Sequence, residues 1–288
     1  MNPSQFQYHQ AASVDEAVAL LDQLGPEAKI IAGGHSLLPI MKLRLAEPGH
    51  LVDIGGIPQL RGISELPAGG IRIGAMTTHH ELERDPLVAK HAQVLAQASA
   101  VVGDRQVRNR GTIGGALAHA DAAADQPAAI LALDATLVVI GPDGERRIAA
   151  SDFFLDFLST ALETDEVLVA IEVPALPART GSSYQKLANQ SSGYAIVGVA
   201  AVVTLDSDGS IASARIGVTG AVASAVRAGA SEAALQGKKA DNASIAAAAA
   251  LVADSLSMLG DLHASEEYRG RVLTGLTARA IREAVANA

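Results

Sequence analysis

The sequence predicts an α+β protein, and three observations carry that reading. The first fifty-odd residues read as a β–α–β unit, the middle holds strands, helices and a hairpin, and the last hundred residues run two long strands and then three helices. Strands and helices gathered into separate runs mark this class. A chain of 288 residues, 49% hydrophobic and 18% charged, is long enough for two domains with well-buried cores.

Taken in order, Ser13-Val-Asp-Glu16 is a capping box, in which the Ser hydroxyl and the Glu carboxylate reciprocally satisfy early helix donors. It opens a helix with apolar positions Val14, Ala17, Val18, Leu20, Leu21 and Leu24, closed by Gly25. Residues 29–32 form a short buried strand, residues 37–45 a short helix with Pro39 in its first turn, and residues 50–54 a second strand. Residues 70–75 alternate like a half-buried strand. Thr78-His-His-Glu81 is another capping box, and Asp85-Pro86 starts a helix that runs to about residue 102. Asp125-Gln-Pro127 begins a helix through Leu133, and residues 136–140 and 146–148 form a hairpin about a Pro-Asp-Gly turn. Residues 167–173 are a strand stopped by Pro174, and the Pro-, Gly- and Ser-rich stretch 174–183 marks a domain boundary. Strands at 194–205 and 211–218 and helices near 228–235, 244–259 and 266–286 complete the chain.

Two glycine-rich loops carry the chemistry, Ala32-Gly33-Gly34-His35-Ser36 and Gly111-Thr112-Ile113-Gly114-Gly115. Glycine admits positive φ and lets an anion approach without a Cβ in the way. Consecutive N–H groups at the start of a helix form an anion-binding concavity. Neither loop holds Lys or Arg, so a phosphate would rest on main-chain dipoles and on the hydroxyls of Ser36 and Thr112. The expectation is that the two loops share one diphosphate; ordinary tight turns are the alternative, since glycine pairs mark turns widely. No G-x-G-x-x-G follows the first strand and no G-x-x-x-x-G-K-[ST] occurs, so neither the Rossmann nor the P-loop mechanism applies. His79 and His80 diverge on a helix and have no third ligand. His119, Asp121 and Asp125 resemble a metal cluster in spacing. Asp125 can instead cap the helix that follows it, or accept a hydrogen bond from a nucleotide.

The net charge of −9 argues against nucleic acid or an anionic membrane, and 3% aromatic residues leave little for base stacking. With no cysteine, the chain cannot hold a disulfide, a thiolate nucleophile or a Cys-ligated iron–sulfur cluster. The first ten residues lack the pattern of a signal peptide, and the Ala-rich stretch 245–253 is too short to span a bilayer. A cytoplasmic protein without membrane insertion is expected.

Beyond these patterns the residues resemble a known family. Ile31-Ala-Gly-Gly-His-Ser-Leu-Leu-Pro-Ile-Met-Lys-Leu-Arg-Leu45 is similar to the first FAD loop of the molybdenum hydroxylases, of the carbon monoxide dehydrogenase and xanthine dehydrogenase type. Gln106-Val-Arg-Asn-Arg-Gly-Thr-Ile-Gly-Gly115, followed by His119-Ala-Asp-Ala-Ala-Ala-Asp125, is similar to their second loop. Residues 73–78, 166–174 and Tyr268-Arg269 also match, and the resemblance covers essentially the whole chain. It implies a two-subdomain FAD-binding fold of the vanillyl-alcohol oxidase (PCMH) type over residues 1–177, with subdomains of about 1–56 and 57–177. A small domain of a three-stranded antiparallel sheet and a helical bundle would follow over 178–288.

The resemblance also implies site residues. Ala32, Gly33, Gly34, His35, Ser36 and Leu37, with Gly111, Thr112, Ile113, Gly114 and Gly115, would bind the FAD diphosphate. Asp125 would contact the cofactor, Leu168 and Lys186 would lie near the flavin, and Tyr194 would cover the isoalloxazine. Ala122 stands where many relatives have proline, and Asn189 and Gly193 stand where many carry Arg and Asp, which puts the use of NAD in doubt. The function implied is that of an FAD-carrying electron-transfer subunit, with molybdopterin–molybdenum on a large partner and [2Fe–2S] clusters on a small one, in a dimer of heterotrimers. No catalytic acid, base or metal ligand is assigned to this chain, because the flavin carries the redox chemistry. A non-catalytic nucleotide-binding assembly subunit and a free-standing FAD oxidase are the alternatives.

Overall fold

A computed structural model describes residues 2–288. Its N-terminal sheet is parallel, with Gln7–Gln10 and Ala28–Ile31 flanking His50–Asp53. The last two, with the helix Leu37–Lys42 between them, are the β–α–β unit expected from the sequence. Gln7–Gln10 adds a strand that no hydrophobic alternation announces. The helix Val14–Leu24 is capped by Ser13, whose hydroxyl accepts from the Glu16 N–H, while the Glu16 carboxylate accepts from Ala12 N–H at 2.8 Å. Its buried Ala17, Val18 and Leu21 fill the space between Val52 and Ile54 on one side and Val138, Val167 and Val169 of the next sheet on the other.

That next sheet is antiparallel, in the order Ile63–Glu65, Gly70–Gly74, Val167–Pro174, Thr136–Gly141, Gly144–Ala149. Val167–Pro174 lies at its centre, which accounts for its near-continuous buried run. A β-bulge places Val169 opposite no partner, between the pairs Leu168–Val139 and Ala170–Val138. Val169 and Ala170 therefore both join the core around Val14–Leu24, while Leu168 and Ile171 join the core on the opposite face. The bulged carbonyl of Val169 accepts from the N–H of Ala75 at 3.0 Å.

The far face of the sheet carries His79–Arg84, Gln93–Ala100, Ile113–His119 and Gln126–Ala132. The helix expected from residue 85 to about 102 is in fact two, Pro86–His91 and Gln93–Ala100, broken at Ala92 with φ −148° and ψ 46°. The break lets Val88 on one piece and Val94 and Leu95 on the other all reach full burial.

The third sheet is antiparallel, in the order Thr180–Ala188, Ala195–Leu205, Ile211–Thr219, Val226–Arg227. The three-stranded expectation holds for the long strands, and the fourth is a two-residue edge paired with Gly217 and Val218. One face packs on Gln93–Ala100 and Gln126–Ala132. Gly217 permits direct backbone contact there, because a Cβ at that position would stand 2.0 Å from the Ala128 carbonyl oxygen. The other face is covered by Gly229–Leu235, Asn242–Asp254 and Glu266–Ala286. Among the described residues, no helix is long and apolar enough to cross a membrane.

Candidate functional site

The two glycine loops, far apart in sequence, touch. A Cβ on Gly33 would lie 2.2 Å from the carbonyl oxygen of Arg110 and 2.9 Å from the Cα of Gly111. Real Cβ atoms do not approach so closely, so only glycine fits at this junction. A Cβ on Gly115 would meet that of Ala32 at 3.7 Å. Gly34 has φ +74°, the left-handed turn that glycine adopts without strain. It bends the chain after the strand Ala28–Ile31 so that the helix Leu37–Lys42 can start.

The backbone donors of the two loops are used differently. Among the described residues, the N–H groups of Gly33, Gly34, His35 and Ser36 have no protein acceptor. Leu37 N–H, at the first position of its helix, likewise points out of the helix start. The second loop corrects the expectation of bare amides on both sides. Gly111 donates to Val107 O at 2.7 Å, Ile113 to Thr77 O at 3.0 Å and Gly114 to Ala75 O at 2.8 Å. Gly115 donates to the Thr112 hydroxyl at 3.2 Å. These four amides are consumed inside the chain, because the second loop doubles as the N-terminal cap of Ile113–His119 and as a packing joint. At Gly114 a Cβ would stand 2.6 Å from that of Ala75. Ile113 is fully buried, so its side chain belongs to the core and not to a ligand surface.

Asp125 does not cap the helix Gln126–Ala132, contrary to one sequence reading; its carboxylate makes no capping bond. It is instead buried, with Oδ1 accepting from the Tyr184 hydroxyl at 2.6 Å and Oδ2 from Lys186 Nζ at 2.8 Å. Lys186 donates further to Val101 O at 3.0 Å. Burial pushes the Asp125 carboxyl up to about 6, against the opposing pull of the Lys186 charge and of its hydrogen bonds. The pair is an internal clamp, so Lys186 presents no free ammonium on the surface. Asp121, which the metal-like spacing put beside Asp125, turns back to the Ala123 N–H at 2.8 Å.

Tyr194 is partly exposed, and its hydroxyl lies against Ser36 of the first loop. Burial and the Asp121 carboxylate raise its pKa. Leu168 is 5% exposed and packs in the core that holds Ile113 and Leu117. It is tied to the second loop through the neighbouring Val169 bulge and Ala75. Sequence reasoning missed Tyr184 and Gln126 as site-supporting groups, and weighed His79 only as a metal ligand. His79 is 4% exposed, and its Nδ1 lies 3.0 Å from the Gln126 amide nitrogen. Tyr184 has no local signal; only its partner across the fold reveals it.

Residues 4–176 match a family described as the FAD binding domain in molybdopterin dehydrogenase, and residues 182–284 match the CO dehydrogenase flavoprotein C-terminal domain. The chain is 42% identical to the carbon monoxide dehydrogenase medium chain of Hydrogenophaga pseudoflava, over 99% of this chain and 98% of that one. It is 37% identical to the 6-hydroxypseudooxynicotine dehydrogenase complex subunit alpha of Paenarthrobacter nicotinovorans, over 99% and 96%. Among solved structures, it superposes with a TM-score of 0.96 on a chain of the H. pseudoflava carbon monoxide dehydrogenase, at 44% identity and covering 99% of both. A chain of quinoline 2-oxidoreductase from Pseudomonas putida 86 superposes at 0.92, with 36% identity and 99% of both covered.

Proposed function

Because the chain belongs to the FAD-binding medium chains of the carbon monoxide dehydrogenase and xanthine dehydrogenase type molybdenum hydroxylases, we propose that residues 32–37 and 111–115 form one cradle for the FAD diphosphate. It is a subunit of a heteromeric oxidoreductase. The observation that carries the cradle is the junction itself: unpaired amides from Gly33 to Ser36 beside a second glycine loop that touches them. The residues fit a diphosphate, since an anion needs oriented donors and a surface free of Cβ atoms, and both meet here.

Within the cradle the loops take different parts. The first donates hydrogen bonds from Gly33, Gly34, His35, Ser36 and Leu37. The second supplies a rigid, side-chain-poor wall of Gly111, Gly114 and Gly115, with the Thr112 hydroxyl proton as its polar contribution. Ala32 spaces the two loops, and Tyr194, in the loop just before the strand Ala195–Leu205, reaches Ser36 to close one side. Leu168 offers an apolar contact at the edge of the core, beside the flavin. Asp125 and Lys186 lie close behind the cofactor and act through the position and field of their buried pair. When bound, FAD supplies the redox centre that takes electrons from partner chains and hands them to an external acceptor.

The partners in this reading are a large molybdopterin subunit and a small [2Fe–2S] subunit, joined as a dimer of heterotrimers in the cytoplasm. The cofactor-binding domain spans residues 1–177, with subdomains of about 1–56 and 57–177, and the C-terminal domain spans 178–288. Purification of the native complex, with partner chains identified and flavin, iron and molybdenum quantified, tests this reading. One FAD per copy of this chain is expected, released intact by acid. A purified complex without flavin would refute it.

A further inference from the structure

We propose that His79 is the positioning residue of the cradle, an uncharged imidazole wedge that fixes how the second glycine loop is held against the first. The inference rests on the reading of that junction as an FAD site. The His79 N–H donates to the Gly111 carbonyl at 3.0 Å, beside a bridge between Thr78 and Thr112. Its ring occupies the space a side chain at Gly111 would need, with Cδ2 and Nε2 standing 2.8 and 2.9 Å from that Cβ position. On the opposite ring edge, Gln126, only 1% exposed, holds Nδ1. With the Gln126 amide nitrogen facing it, Nδ1 accepts in the neutral ring that carries its proton on Nε2, towards Gly111. One side chain thereby spans the second loop and the start of Gln126–Ala132.

A proton on Nδ1 would set two donors face to face at Gln126, inside a buried site. The charged and titratable groups that act on the ring are His35 from the first loop and Arg108 from the helix ahead of the second. Arg108 is itself paired with Glu83 at 3.1 Å. Burial first, then His35 and Arg108, lower the His79 pKa from 6.5 to about 4. The assembled cradle thus favours the neutral ring. Its stability is complete above pH 6.5 and is lost progressively as the pH falls from 6.5 towards 4.

The test is FAD binding to the full-length chain, followed by flavin fluorescence from pH 7.5 to pH 5, for wild type, His79→Gln and His79→Ala. With one proton linked to opening of the cradle, the wild-type Kd rises about twentyfold between pH 7 and pH 5. His79→Gln keeps a polar group for Gln126 but cannot be protonated, so its profile is expected to lose the part of the slope that His79 carries and to keep only what Asp125, titrating near 6, contributes. His79→Ala leaves the wedge position empty and is expected to bind at least tenfold more weakly at pH 7. A His79→Gln profile with the wild-type slope would overturn the proposal, as would an unchanged Kd for His79→Ala. Should His79→Ala not fold, the slope of His79→Gln decides alone. Wild-type protein that binds no FAD at any pH would instead refute the cofactor reading beneath it.

Discussion

Replacing Gly33 by alanine probes the contact between the loops directly. The new Cβ would sit 2.2 Å from the Arg110 carbonyl oxygen and 2.9 Å from the carbonyl carbon and from Gly111 Cα. All three are backbone atoms, so no rotamer change relieves the clash, and the two loops must separate by about 1 Å. Overpacking of this kind costs about 1–3 kcal/mol. If the separation is borne by the cradle, FAD affinity falls by roughly five- to 150-fold at 1.4 kcal/mol per decade. Gly275→Ala is the control: it lies in the helix Glu266–Ala286 with nothing within 4 Å of its Cβ position. There alanine is expected to add about 0.5–1 kcal/mol of stability. Gly33→Asp and Gly33→Asn share a steric burden and differ in charge, so their difference reports the anion alone. The assay is flavin content after purification together with equilibrium titration of FAD. A Gly33→Ala protein with wild-type flavin content and melting temperature would refute the loop contact, and equal losses for Asp and Asn would refute a nearby diphosphate.

Three further outcomes follow from the buried groups. Lys186→Met leaves the Asp125 carboxylate unpaired in the interior and is expected to cost about 3–5 kcal/mol at pH 8 in urea unfolding. Lys186 is one of the influences that hold the Asp125 pKa down at about 6, so its removal raises that pKa further, and at pH 5 the carboxyl is protonated in both proteins; the cost should therefore shrink at pH 5, and a loss equal at both pH values would count against the clamp. Tyr184→Phe removes the 2.6 Å hydrogen bond to Asp125 and is expected to destabilise by about 1.5–3 kcal/mol, with no loss if that bond carries no weight. Thr112→Ala removes the hydroxyl that accepts from Gly115 N–H and should cost about 1 kcal/mol, whereas Thr112→Ser should restore most of it.

Both glycine loops and most helix starts were legible in the sequence, because caps and glycines act on their immediate neighbours, while the starts of the helices Gln93–Ala100, Arg105–Arg108 and Ala150–Phe153 were not read. Thr78 and Glu81 form the reciprocal box their spacing announces. What could not be read depended on distant chain. Gln7–Gln10 is mostly exposed and is a strand by virtue of its backbone pairing with His50–Asp53. Thr180–Ala188 begins with Thr, Gly and two Ser, residues that also fill loops, so its first half reads as a linker although it pairs along its whole length with Ala195–Leu205. Asp125 sits where an N-cap would, yet its partners are 59 and 61 residues further on. The open amides of the first loop and the closed ones of the second have similar sequences; the second loop closes Gly111 and Gly115 locally on Val107 and Thr112, and Ile113 and Gly114 on the distant Thr77 and Ala75.

The clamp at Asp125 also bears on what counts as a separable piece of this protein. Two family matches meet in the chain, over residues 4–176 and 182–284, and a cut between them looks natural on paper. Yet the strand that opens the second module sends Tyr184 and Lys186 into the first, and the Tyr184 N–H is received by the Gln97 side chain at 2.7 Å. Severed there, the first module would keep an orphaned interior acid and an apolar face stripped of Ala200 and Val202. The boundary between the two matches and the mechanical boundary therefore fall in different places, and grafting either part onto another scaffold requires carrying Asp125, Tyr184 and Lys186 together.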